Sequence, residues 1–200
     1  EKRIDYIDAV YINSVVDFDV DRDHAAAITT DGSLYLWGST ANGQLARNKL
    51  NVTKYTVATE SAFKGVADVA VGSNFTVLLK KNGTVWTMGS NADGQLGNGN
   101  SGLSSSNDPV KVVMEGQTDP VSGKALPLGN IIAVAAGDNF ALALDHEGKV
   151  WAWGAINGKS YAAKEIELEL NDDTNENIYR IFASDKAAAV LSTDNIAYEW

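Results

Sequence analysis

Short apolar runs alternate with turn signals along the whole chain. Val16, Phe18 and Val20 alternate with Asp17, Asp19 and Asp21, the period-two pattern of a strand. Ala25–Ile28 is a compact apolar run, Asp31-Gly32 marks a hairpin turn, and Leu34–Trp37 is the returning strand, stopped at Gly38. Thr53–Ala58, rich in Thr, Tyr and Val, reads as a further strand. The same order then returns as Val66–Val71, Phe75–Leu79, Asn82-Gly83 and Val85–Met88. It returns again as Ile131–Ala136, Phe140–Leu144, Glu147-Gly148 and Val150–Trp153. A fainter copy is Ile178–Ala183, Ala187–Leu191, Asp194-Asn195 and Ile196–Trp200, with Asn taking the place of the turn glycine. Between copies, Asn98–Asn107 reads as loop and Pro109–Met114 as a strand with proline at its start. Glu115–Leu128 reads as an inserted loop, Lys164–Leu170 as a strand with one charged face, and Asn171–Asn177 as an acidic loop.

The copies keep register without gaps. Gly32 to Gly83 and Gly38 to Gly89 are both 51 residues, while Gly83 to Gly148 and Gly89 to Gly154 are both 65. Units of about four short strands at this spacing predict an all-β chain of β-propeller blades, about four blades' worth. The units run 16–65, 66–130, 131–177 and 178–200, and residues 1–15 are a linker or a strand of a preceding blade. The fourth unit stops one residue before its strand-ending glycine, which predicts truncation within a longer array. An open arc, a fragment, or half of a ring closed by a second chain all fit this count. Tyr35, Trp86 and Trp151 form one column of equivalent positions and Trp37, Met88 and Trp153 another; both are expected in the core between blades.

The net charge of −10 and the pI near 4.6 argue against a nucleic-acid binder and against docking on an anionic membrane. There is no cysteine, so disulfides, thiolate metal sites and a cysteine nucleophile are excluded. No apolar run approaches the ~18 residues of a membrane span.

Val71-Gly-Ser-Asn-Phe-Thr-Val-Leu-Leu79, Asn82-Gly-Thr-Val-Trp-Thr-Met-Gly-Ser-Asn91 and Gly94-Gln-Leu-Gly-Asn-Gly99 closely resemble the repeat of the RCC1 (regulator of chromosome condensation) family. The resemblance covers about residues 16–200, and in that family seven repeats close a propeller. It implies Gly32, Gly38, Gly83, Gly89, Gly148 and Gly154, with Trp37, Trp86, Trp151 and Trp153, as the structural residues of the repeat. Family members include guanine-nucleotide exchange factors, photoreceptors, bacterial surface proteins and an inhibitor of β-lactamases, so fold alone does not give function. The basic segments of the chromatin-binding member are missing here, and so are the tryptophan–arginine clusters of the photoreceptors.

Few residues offer chemistry. Asp17, Asp19, Asp21 and Asp23 have the 1-3-5-7 spacing of a calcium loop, but Arg22 and Ile28 stand where that loop needs glycine and a carboxylate. A solvated edge of a terminal blade is the alternative for these aspartates. Gly154–Ser160 resembles a phosphate loop but has three residues between its glycines, which favours an ordinary blade loop. His24 aligns with Phe75 and Phe140, a packing position, and His146 sits in a turn. No nucleophile, base and orienting group occur together.

The sequence therefore predicts a non-enzymatic protein-binding scaffold with no cofactor, part of a larger bacterial exported or surface protein, with a cytoplasmic setting as the alternative. An exchange factor for a small GTPase and a propeller-type inhibitor of a hydrolase are the competing functions. Binding specificity is expected in the segments that depart from the repeat, at Glu115, Gln117, Asp119 and Lys124 and at Asp172 and Asp173. Self-association completing a propeller is a further expectation.

Overall fold

The structure is a computed structural model that describes residues 11–45, 54–156, 158–168 and 177–200. Every regular element in it is a strand. The first blade is β1 (Val15–Val20), β2 (His24–Thr29), β3 (Ser33–Ser39) and β4 (Lys54–Lys64), antiparallel in chain order. The second is β5 (Val66–Val71), β6 (Phe75–Lys80), β7 (Val85–Ser90) and β8 (Ser105–Lys111), in the same order. The hairpin β9 (Val113–Thr118) and β10 (Ala125–Pro127) follows. The third blade is β11 (Ile131–Ala136), β12 (Phe140–Asp145), β13 (Val150–Gly154) and β14 (Ser160–Ile166). The fourth is β15 (Ile178–Ser184), β16 (Ala187–Ser192) and β17 (Ala197–Glu199). The innermost strands β1, β5, β11 and β15 lie side by side, so the blades form an arc around a common axis.

The face of each blade packs on the back of the next. Ala26, Ile28, Leu34 and Leu36 of the first blade meet Val66, Val69, Val71, Leu78 and Met88 of the second. Val77, Leu79 and Val85 meet Ile131, Val134, Trp151 and Trp153, and Leu142, Leu144 and Val150 meet Ile178, Ile181 and Val190. The alanines of the middle strands have a packing role. Ala143 pairs across the sheet with Trp151 and Ala141 with Trp153, so each small residue leaves room beside an indole. Both indoles are buried; Tyr35, Trp37 and Trp86 are half-buried.

Among the described residues, the outer faces of the first and last blades carry exposed apolar side chains. Val15, Phe18 and Val20 are 40%, 67% and 62% exposed, although their equivalents Val66, Val69 and Val71 are buried against a preceding blade. Phe182 on the outer face of the last blade is 47% exposed.

Three expectations change. Glu115–Leu128 is not a loop: β9 and β10 form a hairpin, and β9 joins β14 of the third blade in parallel through Met114 and Ala163. Period-two alternation is weak there because most hairpin residues face solvent on both sides. Pro109 lies inside β8, where Asn107, Asp108 and Pro109 stand opposite Met88 alone between the Val110–Thr87 and Ser106–Gly89 pairs; this bulge of two extra residues removes the demand for its missing N–H. The strand expected over Lys164–Leu170 is β14, which starts at Ser160 and ends at Ile166.

Candidate functional site

The inner strands are tied to one another by aspartate side chains. The Asp17 and Asp19 carboxylates accept hydrogen bonds from the backbone N–H groups of Val69 (3.3 Å) and Val71 (2.7 Å) in the next blade. Asp68, equivalent to Asp17, accepts from Val134 of the third blade at 2.9 Å. The innermost strand is the edge of its sheet, so its outward N–H groups have no ladder partner, and a carboxylate from the neighbouring blade supplies one. Burial, opposed by the hydrogen bonds from Val71 and Val20, raises the pKa of Asp19. Burial and the neighbouring Asp17 carboxylate push Asp68 up to about 7.

The aspartates were expected on a solvated edge, and the structure reverses the faces. Asp17 and Asp19 are half-buried in the seam, and the apolar stripe opposite them is the exposed side. Asp21 caps the backbone of Arg22 at 2.7 Å, and Asp23 is exposed in the turn. Among the described residues no three His, Asp or Glu side chains converge on a metal position. A strand spreads alternate residues over ~6.5 Å steps, whereas a calcium loop wraps them around one point.

Beyond the aspartates, equivalent turn residues of four blades meet at one end of the axis. Arg22 donates to Asp138 at 3.0 Å and lies 3.9 Å from Asp185, and the Ser73 hydroxyl donates to Asp138 at 2.5 Å. The backbone continues the contact, Ser73 N–H to Asp138 O and Asp138 N–H to Asp185 O. An opening of about 170 Å³ beside them is lined by Asp19, Asp21, Asp138 and Asp185.

The Gly-Gln-Leu loops clasp the next blade at this same end. The Gln44 and Gln95 side chains each accept from the backbone two residues before, at Asn42 and Asp93. The Gln44 carbonyl accepts from the Thr76 hydroxyl, and the Gln95 carbonyl from the Trp153 indole, both at 2.9 Å. His24, which is 2% exposed, lies 3.0 Å from the same Thr76 hydroxyl through Nε2. Because that hydroxyl already donates to Gln44, Nε2 carries the proton and donates to it. Nδ1 has no hydrogen-bond partner among the described residues, and burial lowers the pKa to about 4. Lys159, in the loop that resembles a phosphate cradle, pairs with Asp93 at 2.6 Å and donates to the Ala92 carbonyl, so its charge is used between blade loops.

The hairpin residues Glu115, Gln117 and Lys124 are exposed. Asp119 builds the turn, its carboxylate accepting from Val121 and Ser122, which lowers its pKa. Val121 at the tip is 94% exposed. A cleft of about 340 Å³ beside the hairpin is lined by Met114, Gln117, Asp145, Lys149 and Trp151. Asp172 and Asp173 lie outside the described residues. Gly32, Gly83 and Gly148 occupy the hairpin turns with positive φ, and Asn195 does so at φ +62° in the fourth copy. At the strand-ending glycines the constraint is closer: a Cβ on Gly89 meets the Asn74 carbonyl at 2.4 Å, and Gly38 and Gly154 are alike. Sequence reasoning missed the aspartate seam. Its available signal was the alignment of Asp17 with Asp68.

Residues 82–144 match the family described as the regulator of chromosome condensation (RCC1) repeat, and residues 66–95 and 131–160 match a second description of that repeat. The chain is 33% identical to the RCC2 homolog of Danio rerio over 135 residues, 66% of this chain and 24% of that protein. It is 32% identical to the secretion-regulating guanine nucleotide exchange factor of Bos taurus over 134 residues, 66% of this chain and 26% of that protein. The fold resembles human WBSCR16 (TM-score 0.77, 20% identity, 93% of this chain and 47% of that one). It also resembles yeast RCC1 (Prp20), solved bound to Kap60 (TM-score 0.75, 17% identity, 96% of this chain and 45% of that one). The chain thus spans less than half the length of each of these proteins, and its fold is part of an RCC1-type β-propeller.

Proposed function

We propose, for a chain whose residues between 66 and 160 match the RCC1 repeat, a non-enzymatic role as a protein-binding scaffold module. The observation that carries the reading is the β9–β10 hairpin. It departs from the repeat, projects Glu115, Gln117 and Lys124 around an exposed Val121, and is anchored on a frame cross-linked by inter-blade hydrogen bonds. A rigid support with a protruding tip lowers the ordering cost of a protein contact. The exposed stripe Val15, Phe18 and Val20 supports association with a second copy through the outer face of the first blade. The test of the hairpin is crosslinking of the protein to a partner in its native extract, compared with the V121D/K124E variant. Loss of one defined crosslinked species in the variant supports the reading. An identical crosslink pattern removes the hairpin as the contact.

A second reading, nucleotide exchange on a small GTPase, is favoured by the similarity to the secretion-regulating exchange factor. Release of a fluorescent guanine nucleotide from a panel of small GTPases tests it directly. No acceleration at any GTPase in the panel removes it.

A further inference from the structure

The turn ends of the first two blades carry a cationic and aromatic cluster that the repeat does not require. Lys64 ends β4, Lys80 ends β6 and Lys111 ends β8, while Trp86 lies near the start of antiparallel β7. All four therefore sit at one end of the blades, opposite the Gly-Gln-Leu loops. The Phe63 and Trp86 rings meet edge to face, with centroids 5.4 Å apart. The Lys80 ammonium lies 4.4 Å from the Phe63 ring centre and 5.8 Å from that of Trp86, and the Lys111 ammonium is 5.1 Å from Trp86. Lys81 reaches across the seam to the Thr30 carbonyl at 3.5 Å. Positions equivalent to Lys80 in the other blades are Thr29, Asp145 and Ser192, so the cluster belongs to this seam alone.

The charges here are unevenly matched. Lys64 pairs with Glu60, and Asp31 lies in the neighbouring turn, but Lys80 and Lys111 form no ion pair among the described residues. An ammonium over a ring face is held in place by the ring quadrupole and still has N–H donors free for an acceptor. The half-buried Phe63 and Trp86 supply apolar surface next to those donors.

We infer that the Phe63–Trp86–Lys80–Lys111 cluster is a docking surface for a short acidic segment of a partner protein, one whose carboxylates reach Lys80, Lys81 and Lys111 and whose apolar side chain lies against Trp86. The inference rests on the protein-binding reading and names the chemistry of one partner. Length decides between acidic peptide and nucleic acid. A short acidic segment fits within four lysines, whereas an extended polyanion runs beyond them over a chain of net charge −10.

The test uses a fluorescent twelve-residue peptide of Glu with central Phe residues, its Lys counterpart, and a single-stranded oligonucleotide of equal charge, read by anisotropy. Saturable binding of the acidic peptide is expected, weakened about tenfold or more by K80Q/K111Q and by added salt. A shared melting temperature of variant and wild type shows that folding is intact. K111Q alone serves if the double variant does not fold. The inference is overturned by no binding of the acidic peptide, by equal binding in the variant, or by tighter binding of the Lys peptide or the oligonucleotide. Such a result leaves the hairpin contact standing, because that contact is read on V121D/K124E.

Discussion

Asp19 of the first blade and Val71 of the second are joined by a carboxylate-to-backbone hydrogen bond of 2.7 Å, and this contact does the work of a missing β-ladder. Neither residue is in a loop, and neither belongs to the repeat's glycine pattern. The bond lies where two sheet edges approach without sharing strands. Removing the acceptor leaves the Val71 N–H buried and unpaired, so D19A is expected to lose roughly 1–3 kcal/mol. V20S, whose side chain is exposed, is expected within about 0.5 kcal/mol of wild type. Urea unfolding of the two variants checks the contrast, and equal losses would remove the seam argument.

The buried histidine makes the fold acid-sensitive. His24 is held at about 4 against an ordinary value of 6.5, so it stays neutral in the folded chain while the unfolded chain takes up a proton. Its stabilising contribution is therefore full above about pH 6.5 and is lost as pH falls toward 4. H24F supplies the Phe found at the equivalent Phe75 and Phe140. Relative to H24F, the wild type is expected to lose up to roughly 3 kcal/mol between neutral pH and pH 4. A difference between the two proteins that does not change with pH excludes His24 as the cause.

Asp68 acts in the opposite direction. Its folded pKa of about 7 is above its ordinary 3.8, so its contribution is full below the ordinary value and declines as pH rises through 7. Replacing the neighbouring charge in D17N is expected to gain on the order of 1 kcal/mol over wild type at pH 8, with the gain shrinking at pH 5. Unfolding curves at the two pH values measure it.

Steric closeness separates glycines of equal φ sign. Gly89, at φ +114°, has the Asn74 carbonyl at 2.4 Å from a Cβ position, while Gly116, at φ +68°, has nothing within 4 Å. G116A is expected to cost about 1 kcal/mol from backbone conformation alone, and G89A clearly more, about 3 kcal/mol or above. Melting of both variants tests the order.

The exposed apolar stripe of the first blade predicts association. F18D removes the centre of the exposed stripe without touching a packed residue. It is expected to lower the concentration-dependent mass seen by light scattering and to leave the melting temperature nearly unchanged. I181D, at the equivalent position inside the third seam, is expected to unfold the fourth blade.

The three inner strands of each repeat copy and their hairpin turns were legible in the sequence because they depend on local periodicity and on turn residues that need positive φ, whereas the segments between copies, β8 to β10 and β14, were misplaced. Gly32, Gly83 and Gly148 announced their turns, and Asn195 could be read as their substitute. The glycine-bounded copies also gave the register between blades. Tertiary structure alone decided the rest. The sequence showed Asp17 and Asp19 on one face of a strand, but which face met the next blade depended on the direction in which the blades stack. The hairpin at Glu115 chose the third blade through a parallel pairing that only proximity of β9 and β14 allows. Lys80, Lys111, Phe63 and Trp86 come from four strands of two blades, and no local pattern marks their meeting. Local propensity is written residue by residue, whereas seams, edges and surface clusters depend on which strands become neighbours.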